Sequence, residues 1–250
     1  MFNTTIATQI YAKICFEATN SQKKIIENLS EYLSDDDFSR IYVLNGFAGT
    51  GKTTFIAALV AALKELRIKP VLLAPTGRAA KVLARYCGEQ ALTIHKRIYR
   101  QRTNADYESK FSLDFNREQG AVFIVDEASM LSDSTGDGAL FGSGSLLEDL
   151  VSYVRSGRGC RLILVGDSAQ LPPVGCDFSP ALDPATVSRY GEVVYGLMDE
   201  VVRQQMQSGI LFNATLVRCM LENRIYEIPK FEMDYPDFES VEGGDFMEKL

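Results

Sequence analysis

Gly46-Phe47-Ala48-Gly49-Thr50-Gly51-Lys52-Thr53 is the stretch on which the fold turns. It follows an apolar run, Ile41-Tyr42-Val43-Leu44, and opens a longer one, Phe55-Ile56-Ala57-Ala58-Leu59-Val60. That order reads as strand, glycine-rich loop and helix, which is the context a phosphate-binding loop requires. Gly46, Gly49 and Gly51 let the backbone turn tightly and aim N–H groups at an anion. The helix start adds unpaired N–H groups and a partial positive charge. Ala48, Thr50 and Thr54 complete the candidate nucleotide-binding set. Lys52 supplies a mobile cation for β- and γ-phosphates, and the Thr53 hydroxyl is placed to ligate Mg²⁺. The competing reading is a glycine turn capping an ordinary helix; the flanking strand and helix weigh against it.

Outward from this loop, the same alternation repeats. Pro70-Val71-Leu72-Leu73-Ala74, Ala121-Val122-Phe123-Ile124-Val125 and Arg161-Leu162-Ile163-Leu164-Val165 read as buried strands, with a weaker one at 192–195. Helices are expected at 22–33, 52–66, 78–85, near 146–155 and at 208–221, with a short opening helix in which Ile10, Ile14 and Phe16 pack. Continuous apolar strands alternating with helices argue for an α/β fold, a parallel sheet with helices on both faces. Residues 100–119 are polar, with Phe111, Leu113 and Phe115 alternating, and read as a small β insertion, a hairpin leaving the main sheet. Ligands on such sheets bind beyond the carboxyl ends of the strands. Each polar motif of this chain follows a strand, so all of them can converge on one site.

The bulk numbers narrow the class. At 250 residues and 46 % apolar content, the chain can bury a proper core. It has no run of the roughly 18 apolar residues that a membrane span needs. Met1-Phe2-Asn3-Thr4-Thr5 lacks a basic-then-apolar leader, and five scattered cysteines without a C-x-x-C pair read as reduced thiols. The expectation is a cytoplasmic protein with no membrane contact. Net charge is −7, but it is uneven: Arg78 to Arg102 holds seven Lys/Arg and one acid, while Glu222 to Leu250 holds nine acids and three bases.

Asp126 follows the third strand directly, so its carboxylate can serve a metal ion, and Glu127 beside it can polarise an attacking water. The plainer reading of that pair is a helix N-cap. Gln170, after the fourth strand, can report on a γ-phosphate or be a polar turn residue. Arg203 is a candidate for stabilising charge on a transferring phosphoryl group, or a surface arginine. Thr76, Arg78, Thr93, His95 and Lys96, with Lys81, lie in the basic region, which suits nucleic-acid phosphates or a solvated helix face. His95 is the only histidine, and alone it makes no metal site with these cysteines.

Five motifs now stand in order: Gly46–Thr53; Ala74-Pro75-Thr76-Gly77-Arg78-Ala79-Ala80; Asp126-Glu127-Ala128-Ser129; Gly166-Asp167 with Gln170-Leu171-Pro172-Pro173-Val174; and Val202-Arg203-Gln204. Together they resemble the superfamily 1 DNA helicases of the RecD-like and Dda-like branch, over about residues 20–205. The resemblance implies a RecA-like P-loop NTPase fold for residues 1–205 and an ATP-dependent, DNA-stimulated helicase motor that uses Mg²⁺. The pathway it implies is DNA repair or recombination, in the manner of exodeoxyribonuclease V. Catalytic roles then fall to Lys52, Glu127, Gln170 and Arg203, the last as an arginine finger. Thr53 and Asp126 would hold Mg²⁺, and Gln22 resembles an upstream glutamine that reads adenine. Thr76, Arg78, Thr93, His95 and Lys96 would touch single-stranded DNA. The 100–119 insertion would stand where this branch carries a strand-separating pin, although here it is short. The implied partners are single-stranded DNA or a single/double-strand junction, with nuclease or repair subunits. Members carry a second RecA-like domain; the acidic residues 206–250 are expected to begin one, and this chain alone is expected to hydrolyse ATP weakly or not at all. The alternative is a nucleotide-binding switch or assembly module without unwinding activity. A P-loop kinase does not explain the Gln170–Val174 run.

Overall fold

The run before the glycine loop is strand β1, Ile41–Gly46, buried along its whole length. The computed structural model describes residues 2–14, 17–103, 109–133, 141–202, 208–233 and 235–238. The chain divides into two units, Met1–Phe47 with Lys52–Asp199, and Ala48–Gly51 with Glu200–Leu250.

In the first unit, helices α1 (Phe2–Lys13) and α2 (Asn20–Ser34) precede β1. Then follow α3 (Lys52–Glu65), β2 (Pro70–Ala74), α4 (Gly77–Cys87), β3 (Ala91–Thr93), α5 (Ile94–Ile98) and a pair of strands, β4 (Tyr99–Thr103) and β5 (Ser109–Leu113). The remainder is β6 (Val122–Val125), α6 (Leu146–Ser156), β7 (Arg161–Gly166), the short α7 (Pro184–Val187) and β8 (Val193–Met198). Six strands form one sheet in the order β3-β2-β6-β7-β1-β8, every pair parallel. β4 and β5 pair antiparallel outside it, from Tyr99 opposite Leu113 to Thr103 opposite Ser109.

Successive strand residues point to opposite faces, and each face has its own core. Tyr42, Leu44, Ile124, Ile163 and Val165 pack with α1, α2 and α3. Ile41, Val43, Phe123, Val125 and Leu164 pack with α5 and α6. Burial on both faces is why these strands read as unbroken apolar runs. Each fully buried Leu, Ile or Phe contributes about 1.5–3 kcal/mol. The helix ends follow sequence chemistry: Thr19 caps α2 in a capping box with Gln22, Ser145 caps α6, and Gly88 closes α4 in the left-handed region.

Two features exceed the expectation from sequence. The expected short opening helix runs to 12 residues and buries Ile6 as well as Ile10. The three-residue β3 extends the sheet by a strand, and its last residue, Thr93, caps α5.

In the second unit, α8 (Gly209–Glu222) starts at the cap Ser208. The buried Asn213 donates to the Glu232 carbonyl at 2.8 Å and accepts from its N–H at 2.9 Å. The acidic stretch after α8 is thereby tied to the helix. Ala48–Gly51 belongs to this unit, with Gly49 and Gly51 at φ 76° and 82° and the Val202 N–H donating to the Gly49 carbonyl at 3.1 Å. Among the described residues no helix is long and apolar enough to cross a membrane.

Candidate nucleotide and nucleic-acid site

The strands of a parallel sheet end on one edge, and here that edge carries the polar motifs. β1 leads towards Lys52, β2 to Thr76 and Arg78, β6 to Asp126 and Glu127, and β7 to Asp167 and Gln170. Lys52 opens α3. Its Nζ donates to the carbonyls of Gly46 and, at 3.0 Å, Phe47. The Asp167 carboxylate lies 3.5 Å away. Gly46 is required for this approach, because a Cβ there would lie 2.8 Å from the Lys52 stem.

Asp126 takes its place in the sheet edge through its N–H, which donates to the Leu73 carbonyl at 3.0 Å. Burial, then the neighbouring Glu127 carboxylate, pushes the Asp126 carboxyl up to about 6, while Lys52 opposes the rise. Glu127 stands at φ 54°, ψ 37° and makes no side-chain cap bond to the 3-10 turn Ala128–Met130 that follows. It therefore does not serve as the N-cap that a carboxylate in this place would ordinarily be. A non-glycine residue in the left-handed region is strained by about 1–3 kcal/mol, and such residues cluster at functional sites.

A cavity of about 310 Å³ opens beside this pair, lined by Thr76, Arg78, Asp126, Glu127 and Gln170, with Val82 and Met130 as apolar wall. It brings together the carboxylates, the γ-phosphate candidate and two of the nucleic-acid candidates. The sequence reading assigned no role to Ser129 or Asn45. Ser129 is fully buried and donates to the Gln170 carboxamide oxygen at 3.2 Å. The buried Asn45 binds Ser168 in the Gln170 turn. A serine after Asp-Glu-Ala and an asparagine ending an apolar strand were visible signals for both.

Of the nucleic-acid candidates, Thr93, His95 and Lys96 do not line this cavity. Thr76 and Thr93 use their hydroxyls as caps, accepting from the Ala79 and Lys96 N–H groups at 3.2 and 3.3 Å. Arg78 and Lys96 are exposed. His95 packs against Tyr99 and edge-on to Phe141, with ring centroids 5.6 and 5.1 Å apart, and burial lowers its pKa. Gln22 is fully buried, and its carboxamide oxygen accepts from the Thr19 N–H at 3.0 Å. Thr53 is half-buried and Thr54 exposed. Arg203 lies outside the described residues.

No cluster of three or more His, Cys, Asp or Glu side chains stands ready for a metal among the described residues. The donor set, the part-buried Asp126 carboxylate and the Thr53 hydroxyl, fits Mg²⁺, which takes few protein ligands and completes its shell with water and phosphate oxygens.

A family model described as an AAA domain matches residues 17–211. The chain is 30 % identical over 154 residues to the ATP-dependent RecD2 DNA helicase of Deinococcus radiodurans, covering 62 % of this chain and 19 % of that protein. It is 33 % identical over 136 residues to the ATP-dependent DNA helicase dda of Enterobacteria phage T4, covering 52 % and 28 %. Among solved structures, Pif1 helicase from Bacteroides in complex with ADP-AlF3 and single-stranded DNA aligns with a TM-score of 0.53 at 19 % identity. That alignment covers 85 % of this chain and 48 % of the Pif1 chain. The chain thus spans under a third of the length of these two curated relatives, and the likeness to RecD-like and Dda-like proteins read from the motifs is present in the comparisons too.

Proposed function

The chain belongs to the AAA domain family, and from that premise we propose that residues 1–205 are the ATP-hydrolysing motor domain of a superfamily 1 DNA helicase acting on single-stranded DNA. The observation that carries the reading is the shared cavity. Glu127 and Gln170 line it together with Thr76 and Arg78, so groups suited to hydrolysis adjoin groups suited to a nucleic-acid backbone.

Gly46, Ala48, Gly49, Thr50, Gly51, Thr53 and Thr54 fall within the nine residues 46–54 of the sequence, and their N–H groups suit di- and triphosphate oxygens. Lys52 exchanges its carbonyl partners and Asp167 for the β- and γ-phosphates. Thr53 and Asp126 would hold Mg²⁺, which neutralises phosphate charge when bound. Glu127 accepts the proton of the attacking water. The Gln170 amide donates towards the γ-phosphoryl oxygens, and Arg203 completes the charge stabilisation. Gln22 reads the adenine edge. Thr76, Arg78, Thr93, His95 and Lys96 face the DNA strand, and the β4–β5 hairpin stands where the duplex would divide. Nuclease or repair subunits are the expected partners, at a single/double-strand junction and in the cytoplasm.

The test is steady-state ATPase of this chain, and of a longer form that carries a second RecA-like domain, with Mg²⁺, with and without single-stranded DNA. Stimulation by DNA supports the motor reading. Tight ATP binding with no stimulation of either form would replace it with a nucleotide-binding switch or assembly module.

A further inference from the structure

We propose that Asn45 is a positioning residue that fixes the Asp167–Gln170 turn against the end of β1, and so sets where Gln170 meets a γ-phosphate. The proposal rests on the ATP-hydrolysing reading above. Asn45 is only 5 % exposed, and it follows four apolar residues in a strand flanked on both sides, opposite Gly166 of β7 and Leu197 of β8. Its Oδ1 accepts from the Ser168 N–H at 3.0 Å. Its Nδ2 donates to the Ser168 hydroxyl at 2.8 Å and to the Tyr195 hydroxyl of β8 at 3.0 Å. One amide therefore grips Ser168 at two atoms and joins the edge strand to the same point.

Ser168 is the second residue of the turn that carries Gln170. Within that turn the Asp167 carboxylate accepts from the Ala169 N–H at 2.9 Å, and the Asp167 carbonyl accepts from the Gln170 N–H at 3.1 Å. The other oxygen of the same carboxylate faces Lys52 Nζ. A rigid link thus runs from the strand that ends at Gly46, through Ser168, to Gln170.

Fold stability alone does not ask for this amide. An aliphatic side chain would satisfy a buried strand position, and burying a polar group costs free energy unless it is fully bonded. Ser168 is solvent-exposed, so water can serve its hydroxyl. What the amide adds is location, and a misplacement of about 1 Å at a reacting group can cost about a hundredfold.

The experiment compares Mg²⁺-dependent affinity for ADP with affinity for ADP plus aluminium fluoride, a mimic of the transferring phosphoryl group. It uses the whole chain, wild type, Asn45→Ala, Ser168→Ala and Tyr195→Phe. The last two alter exposed side chains and keep the test clear of folding defects. Wild type is expected to favour the fluoride complex. Asn45→Ala should reduce that preference about tenfold, and Ser168→Ala and Tyr195→Phe about two- to fivefold, the scale of one or two hydrogen bonds. ADP affinity should stay within about twofold, because Gln170, the group this link positions, is assigned to the γ-phosphate; a merely structural role would lower both affinities. An unchanged preference in all three variants, or parallel loss of both affinities, overturns the proposal. A wild type that binds ADP without preferring the fluoride complex overturns it too and leaves the nucleotide site standing. A wild type that binds neither removes the ATP-hydrolysing reading, and the proposal with it.

Discussion

The Ser129 hydroxyl donates to the carboxamide oxygen of Gln170 at 3.2 Å, joining the turn after β6 to the turn after β7. With the oxygen engaged, the amide nitrogen is the atom left to face the cavity, and nitrogen is the atom a phosphate oxygen needs. Ser129→Ala frees the amide to rotate and costs about 0.5–1.5 kcal/mol of orientation. The expected result is a kcat lower by about two- to tenfold with KM for ATP nearly unchanged, read from steady-state ATPase.

The raised Asp126 carboxyl makes a prediction about the metal-free protein. Its folded pKa of about 6 exceeds the ordinary carboxylate value of 3.8, first because it is buried and then because of Glu127. The folded state therefore binds this proton more tightly than the unfolded state. Its stabilising share is complete below about pH 4 and is lost as pH rises through about 6, some 3 kcal/mol in all. In chelator, Asp126→Asn should raise the unfolding midpoint at pH 8 and leave it nearly unchanged at pH 4. Equal shifts at both values would show that the charge is not what burial penalises. The same variant should lose Mg²⁺-dependent nucleotide affinity.

The strands, the loop and their order were legible because a parallel sheet buried on both faces leaves unbroken apolar runs such as Val122-Phe123-Ile124-Val125. What sits at the strand ends was only half legible. Asp126, Glu127 and Gln170 announce themselves by residue type, but the left-handed backbone of Glu127 leaves no compositional trace. The Asn45–Ser168–Tyr195 bonds join residues 123 and 150 positions apart, beyond any local pattern. Thr76, Thr93 and Gln22 read either way: cap chemistry and ligand chemistry draw on the same residue types. β3 has too few residues for a period.

The β4–β5 hairpin is fastened at its first residue. The Tyr99 hydroxyl donates at 2.6 Å to the Asp149 carboxylate of α6, which also accepts from the Ser143 N–H at 3.0 Å and is 5 % exposed. Tyr99→Phe leaves a buried carboxylate short of a donor, at a cost of about 1–3 kcal/mol. The midpoint of urea unfolding should fall accordingly with the slope unchanged. A change under about 0.3 kcal/mol would mean that water replaces the hydroxyl.

Salt dependence separates the nucleic-acid candidates. Arg78 and Lys96 are exposed cations; each one that neutralises a phosphate adds about 0.7 to the slope of log affinity against log salt for a single strand. Arg78→Ala and Lys96→Ala should each lower that slope by about this amount. His95 is a contrast, because burial depresses its pKa and favours the neutral form. His95→Ala should weaken single-stranded DNA binding at pH 7.5 without changing the slope.

Glu127 combines a strained backbone with the base role, so stability and turnover should move in opposite directions there. At φ 54° its Cβ is crowded against the backbone, a cost of about 1–2 kcal/mol that glycine does not bear. Glu127→Gly should therefore stabilise the metal-free chain by about 1 kcal/mol or more in chemical denaturation, since it also removes a carboxylate beside Asp126. It should also abolish hydrolysis. Glu127→Gln keeps the Cβ and the strain while removing the base. It should bind ATP with near-native affinity, gain little stability from the backbone and turn over at least about a hundredfold more slowly. The two variants together distinguish the base from the backbone. Loss of hydrolysis in Glu127→Gly alone would assign the function to the left-handed turn, and loss in both assigns it to the carboxylate.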